Sequence, residues 1–160
     1  MYVEFSELPQ HSRVWIYQSN RKFSDDETEE IIKKTRSFVE NWAAHGSQLT
    51  AGFEVKYNRF IILAIDQTQT QASGCSIDAS VEFIQSIEKE YQVDLLDKMN
   101  VTYYSGPYIA HKTLLEFKKM VKNKAVSPNT IVFNNLVTTK EEYESYWEIP
   151  ASESWHARFM

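Results

Sequence analysis

A chain of 160 residues, 42% hydrophobic and 24% charged, has the length and composition of one globular domain, expected over 1–160 with a single core. Its formal net charge of −5 argues against nucleic acid or anionic lipid as a partner, since both need a basic face. One cysteine excludes an internal disulfide and a multi-thiolate zinc site, and the longest apolar run, Phe60 to Ile65, is too short to span a bilayer. With no basic-then-apolar leader at its start, the expected location is the cytoplasm.

Arg13 to Ser19 is β-branched and aromatic and reads as a strand. Ser24 to Glu27 forms a capping box, which opens a helix carrying Ile31, Ile32, Phe38, Val39, Trp42 and Ala43 at helical spacing. Gly46 supplies its expected left-handed exit. Thr50 to Tyr57 alternates polar and apolar residues, as an edge strand wetted on one side does. Asn58-Arg59 suits a tight hairpin, and the wholly apolar Phe60–Ile65 suits a central strand. After a polar loop, Ser76 or its neighbours open a second helix with Ile77, Val81, Ile84, Ile87 and Tyr91 on one stripe.

Val101 to Tyr104 predicts a short strand, turned by Ser105-Gly106-Pro107 towards Tyr108 and Ile109. Thr113 and Glu116 cap a helix to about Lys122, and Ile131-Val132-Phe133 centre another strand. Thr139 with Glu142 opens a last short helix, and Trp155 with Phe159 would pin the tail. The order β-α-β-β-α-β followed by α-β-α gives an α+β class. It fits a split βαβ (ferredoxin-like) antiparallel sheet with two helices on one face and a C-terminal βα extension. The alternative is a three-layer α/β arrangement of nuclease-like kind.

Several segments carry a likeness: Ser12 to Arg21, Tyr57 to Leu63, Ala72 to Asp78, Val93 to Asp97, Val132 to Val137 and Ser154 to Phe159. Together they resemble a family of short Bacteroidota proteins often labelled "ABC transporter ATPase", over nearly the whole chain. The likeness implies no activity and no site residues, and a transporter association finds no support in the residues. The label itself fails a physical test. A phosphate-cradling G-x-x-x-x-G-K-[ST] loop is absent, because Gly46, Gly52, Gly74 and Gly106 have neither the spacing nor a following Lys-Ser or Lys-Thr.

Chemistry is most concentrated at Ser73 to Asp78, where a helix start favours an anion and lowers a thiol pKa. Gly74, Cys75, Ser76 and Asp78 are therefore candidate ligand-binding residues. In the split βαβ arrangement Cys75, His45, Asp66 and His11 would share one rim, and Cys75, His45 and Asp66 are the candidate catalytic set of a thiol hydrolase or transferase. A buried, inert cysteine and plain helix capping explain the same residues. The four histidines are scattered, so no metal and no cofactor is expected, and His111 reads as a loop residue. Lys118, Lys119, Lys122 and Lys124 read as a solvated helix face.

Trp15, Tyr17, Tyr103, Tyr104 and Tyr108 would line the helix-free sheet face. That face would stack single-stranded RNA, form a homo-oligomer contact, or be covered by the C-terminal βα unit. The favoured reading is a soluble binding or protein-interaction domain without catalysis. The alternatives are the Cys75 enzyme and single-stranded RNA binding.

Overall fold

The computed structural model describes residues 1–160. The strands are β1 (Arg13–Gln18), β2 (Ala43–Ala44), β3 (Ser47–Gln48), β4 (Thr50–Lys56), β5 (Phe60–Asp66), β6 (Val101–Ser105), β7 (Tyr108–Lys112), β8 (Ile131–Phe133) and β9 (Glu148–Pro150). The helices are α1 (Asp25–Glu40), α2 (Gly74–Tyr91), α3 (Leu114–Lys122) and α4 (Lys140–Tyr146). The class is α+β.

Each α-helix starts where a hydroxyl and a matching residue three positions on satisfy its first amides. Ser24, Ser73, Thr113 and Thr139 are the caps, and each closes a reciprocal capping box. At α1 the box is reinforced by Arg21, whose guanidinium grips both oxygens of Glu27 at 2.8 and 2.9 Å. These bonds hold the Glu27 carboxyl down at about 2.

The first sheet has the order β1-β5-β4, antiparallel throughout, with β5 in the centre. Both faces of β5 are covered, which explains its unbroken apolar sequence. Ile61, Leu63 and Ile65 join Tyr17 and Ala51 beneath Ile31 and Val39 of α1 and Ile84, Ile87 and Tyr91 of α2. On the opposite face Phe60, Ile62 and Ala64 join Val14 and Ile16 against Phe133, Val137, Tyr143 and Trp147. The C-terminal part of the chain thus closes the face that the two helices leave open.

The expected fourth strand does not join this sheet. β6 pairs with its hairpin neighbour β7 and with β8, in a second antiparallel sheet of order β7-β6-β8-β9. The outer edge of β1 is taken instead by the approach to α4, where the Val14 amide donates to the Thr138 carbonyl at 2.9 Å and Arg13 bridges Thr139. A strand edge offers one row of partners, and these contacts occupy its first residues. A third cluster, built on Val101, Tyr103, Phe117 and Val132, fills the outer side of the second sheet under α3 and the tail.

Two local expectations change. Helix α1 ends at Glu40, and Trp42 and Ala43 lie beyond it. Gly46 is no helix exit; with His45 it forms the turn of the β2–β3 hairpin, both residues at positive φ (77° and 52°). Strand β4 is also less wet than its alternation suggests. The N-terminal segment runs along it, the Val3 amide donating to the Ala51 carbonyl at 2.8 Å.

Candidate functional site

At the first proposed site, Cys75 is exposed on the opening turn of α2, and no hydrogen bond or ion pair joins it to His45, His11 or Asp66. His45 sits exposed at the β2–β3 turn. Asp66 and His11 do meet, at 3.8 Å, with Thr68 between them: the Thr68 hydroxyl and amide bond Asp66, and His11 Nε2 lies 3.2 Å from that hydroxyl. The N-cap of α2 is Ser73, and Ser76 is buried behind it. The Ser76 hydroxyl donates to the Ser73 carbonyl and accepts from the Ser73 amide, so capping consumes it. Gly74 and Asp78 are exposed and contact no other functional group.

The five aromatic residues do not form one face. Alternation along β1 turns Trp15 and Tyr17 towards the helices, where Trp15 meets Trp42 edge-on at 5.9 Å. Tyr103 is buried under α3, and Tyr104 stacks on Phe133 at 5.4 Å between the sheets. Only Tyr108 is open, 75% exposed.

A different place gathers more chemistry. The β4–β5 turn and the β6–β7 turn, one from each sheet, border a cleft of about 400 Å³ lined by Lys22, Tyr57, Asn58, Arg59, Pro107, Tyr108 and Ile109. At the first turn Tyr57 and Asn58 both take positive φ (56° and 51°). For a bulky side chain that conformation costs on the order of 1–3 kcal/mol and persists only when its surroundings hold it. Here they do. The Tyr57 hydroxyl donates to Glu148 at 2.8 Å and its ring stacks on Trp147, while Asn58 accepts from the Phe23 amide and donates to Asp25.

The strained turn brings Arg59 inward. Its residue is only 8% exposed, yet no carboxylate pairs with it; the chain's ion pairs are His11–Asp66, Arg21–Glu27 and Lys34–Glu90. Of its guanidinium N–H donors only one is used within the chain, from Nη1 to the Ser19 carbonyl at 3.3 Å. Burial accordingly pushes the guanidinium pKa down. Lys140 makes an instructive contrast. It is more deeply buried, but donates to the carbonyls of Leu8 and Ser6 and clamps the N-terminal segment onto α4. Lys140 serves the fold; the donors of Arg59 remain free for something else.

Beside the cleft a polar network crosses between the sheets. Gln18, Thr102 and Asn135 bond one another through the Gln18 carbonyl oxygen, and Thr102 reaches His111 Nδ1 at 3.1 Å. His111 therefore lies on β7 and not in a loop. Its pKa is lowered by burial first and by the nearby Arg59 charge second, against the opposing pull of Asp97, Asp94 and Glu116. No group of three or more His, Cys, Asp or Glu is placed to hold a metal ion.

Sequence reasoning passed over Lys22, Arg59 and His111 as sites. The available signal was an arginine immediately before a strand apolar on every position, since such a charge must either reach water or enter the core. No helix is long and apolar enough to cross a membrane. No family model, curated protein or solved structure matches the chain.

Proposed function

We propose that the chain is a binding protein for a small anionic molecule, held in the cleft between the β4–β5 and β6–β7 turns. The observation that carries this reading is Arg59, nine-tenths buried, without a carboxylate partner, and open to the cleft. Burying a charge is costly unless something pairs with it, and a fork of N–H donors is matched by the paired oxygens of a phosphate or carboxylate. Lys22 adds a second cation at the rim, and Pro107, Tyr108 and Ile109 offer an apolar wall for the body of an organic anion. An exposed free thiol at Cys75 fits a reducing, cytoplasmic setting. Kinship with the short Bacteroidota family fits equally, because the proposed cleft uses no glycine-rich phosphate loop.

The test is calorimetric titration with inorganic phosphate, sulfate and citrate. Saturable binding of at least one of them is expected in the wild type, weakened in Lys22→Ala and abolished in Arg59→Met. Absence of binding in the folded wild type, or unchanged binding in Arg59→Met, refutes the proposal.

A further inference from the structure

Behind the cleft, a chain of hydrogen bonds decides which nitrogen of His111 carries its proton. The indole N–H of Trp147 can only donate, and it donates to Asn135 Oδ1 at 2.8 Å. The amide of Asn135 is thereby oriented, and its Nδ2 donates to Gln18 Oε1 at 2.8 Å. Gln18 Nε2 donates at 2.7 Å to the Asn100 carbonyl, which can only accept. Both ends therefore agree that Gln18 presents an acceptor oxygen to Thr102.

Thr102 is buried, and its hydroxyl has one proton to give. That proton goes to Gln18 Oε1 at 2.7 Å, so towards His111 the oxygen can only accept. His111 Nδ1, 3.1 Å away, must then be the protonated nitrogen. Nε2 is left with its lone pair. It has no partner within the chain, and it is not among the sealed unpartnered atoms, which are Ser12 Oγ, Thr28 Oγ1 and His156 Nε2. The cleft lining ends at Ile109, and alternation along β7 sets His111 two residues further on, on the same face, immediately behind it.

We infer that His111 Nε2 is fixed as a hydrogen-bond acceptor beside Arg59, and that the ligand is an oxyanion carrying its own proton donor, as a monohydrogen phosphate does. This rests on the anion-binding reading. A fully deprotonated oxyanion of the same shape satisfies Arg59 but leaves two lone pairs facing each other at Nε2. Sites built around a donor reject isosteres that lack it. Arg59 and His111 thus divide the work: the guanidinium selects negative charge, and the imidazole selects the protonation state.

Phosphate and sulfate make the comparison, since both are tetrahedral dianions at about pH 8 and only phosphate retains a proton there. Phosphate is expected to bind at least about tenfold more tightly than sulfate. Equal affinity overturns the present inference and leaves the anion site standing; binding of neither ion overturns the present inference, and failure of citrate to bind as well overturns the anion site. Thr102→Ser should keep the preference and Thr102→Val should lose it. Nitrogen-15 spectra of the histidine rings supply a readout independent of ligand. A His111 ring protonated on Nδ1 supports the relay, and one protonated on Nε2 refutes it even if Thr102→Val fails to fold.

Discussion

Replacing Arg59 by methionine separates a structural arginine from a functional one. Methionine keeps an unbranched apolar stem of similar reach and removes the charge. Two terms oppose each other. Relieving a buried, unpaired ion recovers several kcal/mol, whereas orphaning the Ser19 carbonyl, whose only side-chain partner is Arg59 Nη1, costs about 1–3 kcal/mol. The balance favours the variant by about 1–3 kcal/mol, which for a chain of this length raises Tm by roughly 2–4 °C per kcal/mol. The measurement is thermal or urea unfolding of both proteins in a buffer free of polyvalent anions. Adding a bound anion should then stabilise the wild type alone, by about 2.7 kcal/mol at a hundredfold excess over Kd. A variant less stable than the wild type in anion-free buffer would show that Arg59 is held for the fold, and the reasoning from an unpaired charge would fail.

Three further outcomes follow from other parts of the molecule. His156 is fully buried, its Nε2 has no partner, and burial lowers its pKa from 6.5 to about 4. The unfolded chain therefore binds a proton that the folded chain refuses, so this contribution is whole above pH 6.5 and lost as pH falls to about 4, by on the order of 3 kcal/mol. His156→Phe should flatten the unfolding free energy across that window relative to the wild type; an unchanged slope would contradict the burial argument. A Cβ at Gly52 would stand 2.7 Å from the Val3 carbonyl oxygen, so Gly52→Ala should cost about 1–3 kcal/mol and expose the first residues to limited proteolysis. Cys75 is exposed, so a thiol reagent should label it fully in the native protein and leave the melting curve unmoved; labelling only on unfolding would place the thiol elsewhere.

Local structure was legible in the sequence because its determinants are local. Capping boxes at Ser24, Thr113 and Thr139 announce helix starts through bonds spanning three residues, and the unbroken run Phe60–Ile65 announces a central strand, which the structure covers on both faces. Gly46 misled because a left-handed glycine serves a helix exit and a hairpin turn equally well. Partnering was not legible. Whether β6 lies beside β1 or beside β8 depends on which edge Thr138 and Thr139 occupy, and those residues are over a hundred positions away from β1.

The cleft and the polar network behind it belong wholly to that second kind of information. Arg59 reads as the end of a turn, His111 as a loop residue and Gln18 as the tail of a strand. Each is unremarkable until two sheets face one another. The sequence by itself determined the helices, most strands, the α+β class and a charge unsuited to a polyanion surface, because propensity, periodicity and net charge act over short range or in sum. Only tertiary structure decided that one buried guanidinium would lack a carboxylate and that one imidazole would stand beside it. Pairing is a property of distances in space, and the chain separates those groups by some fifty residues.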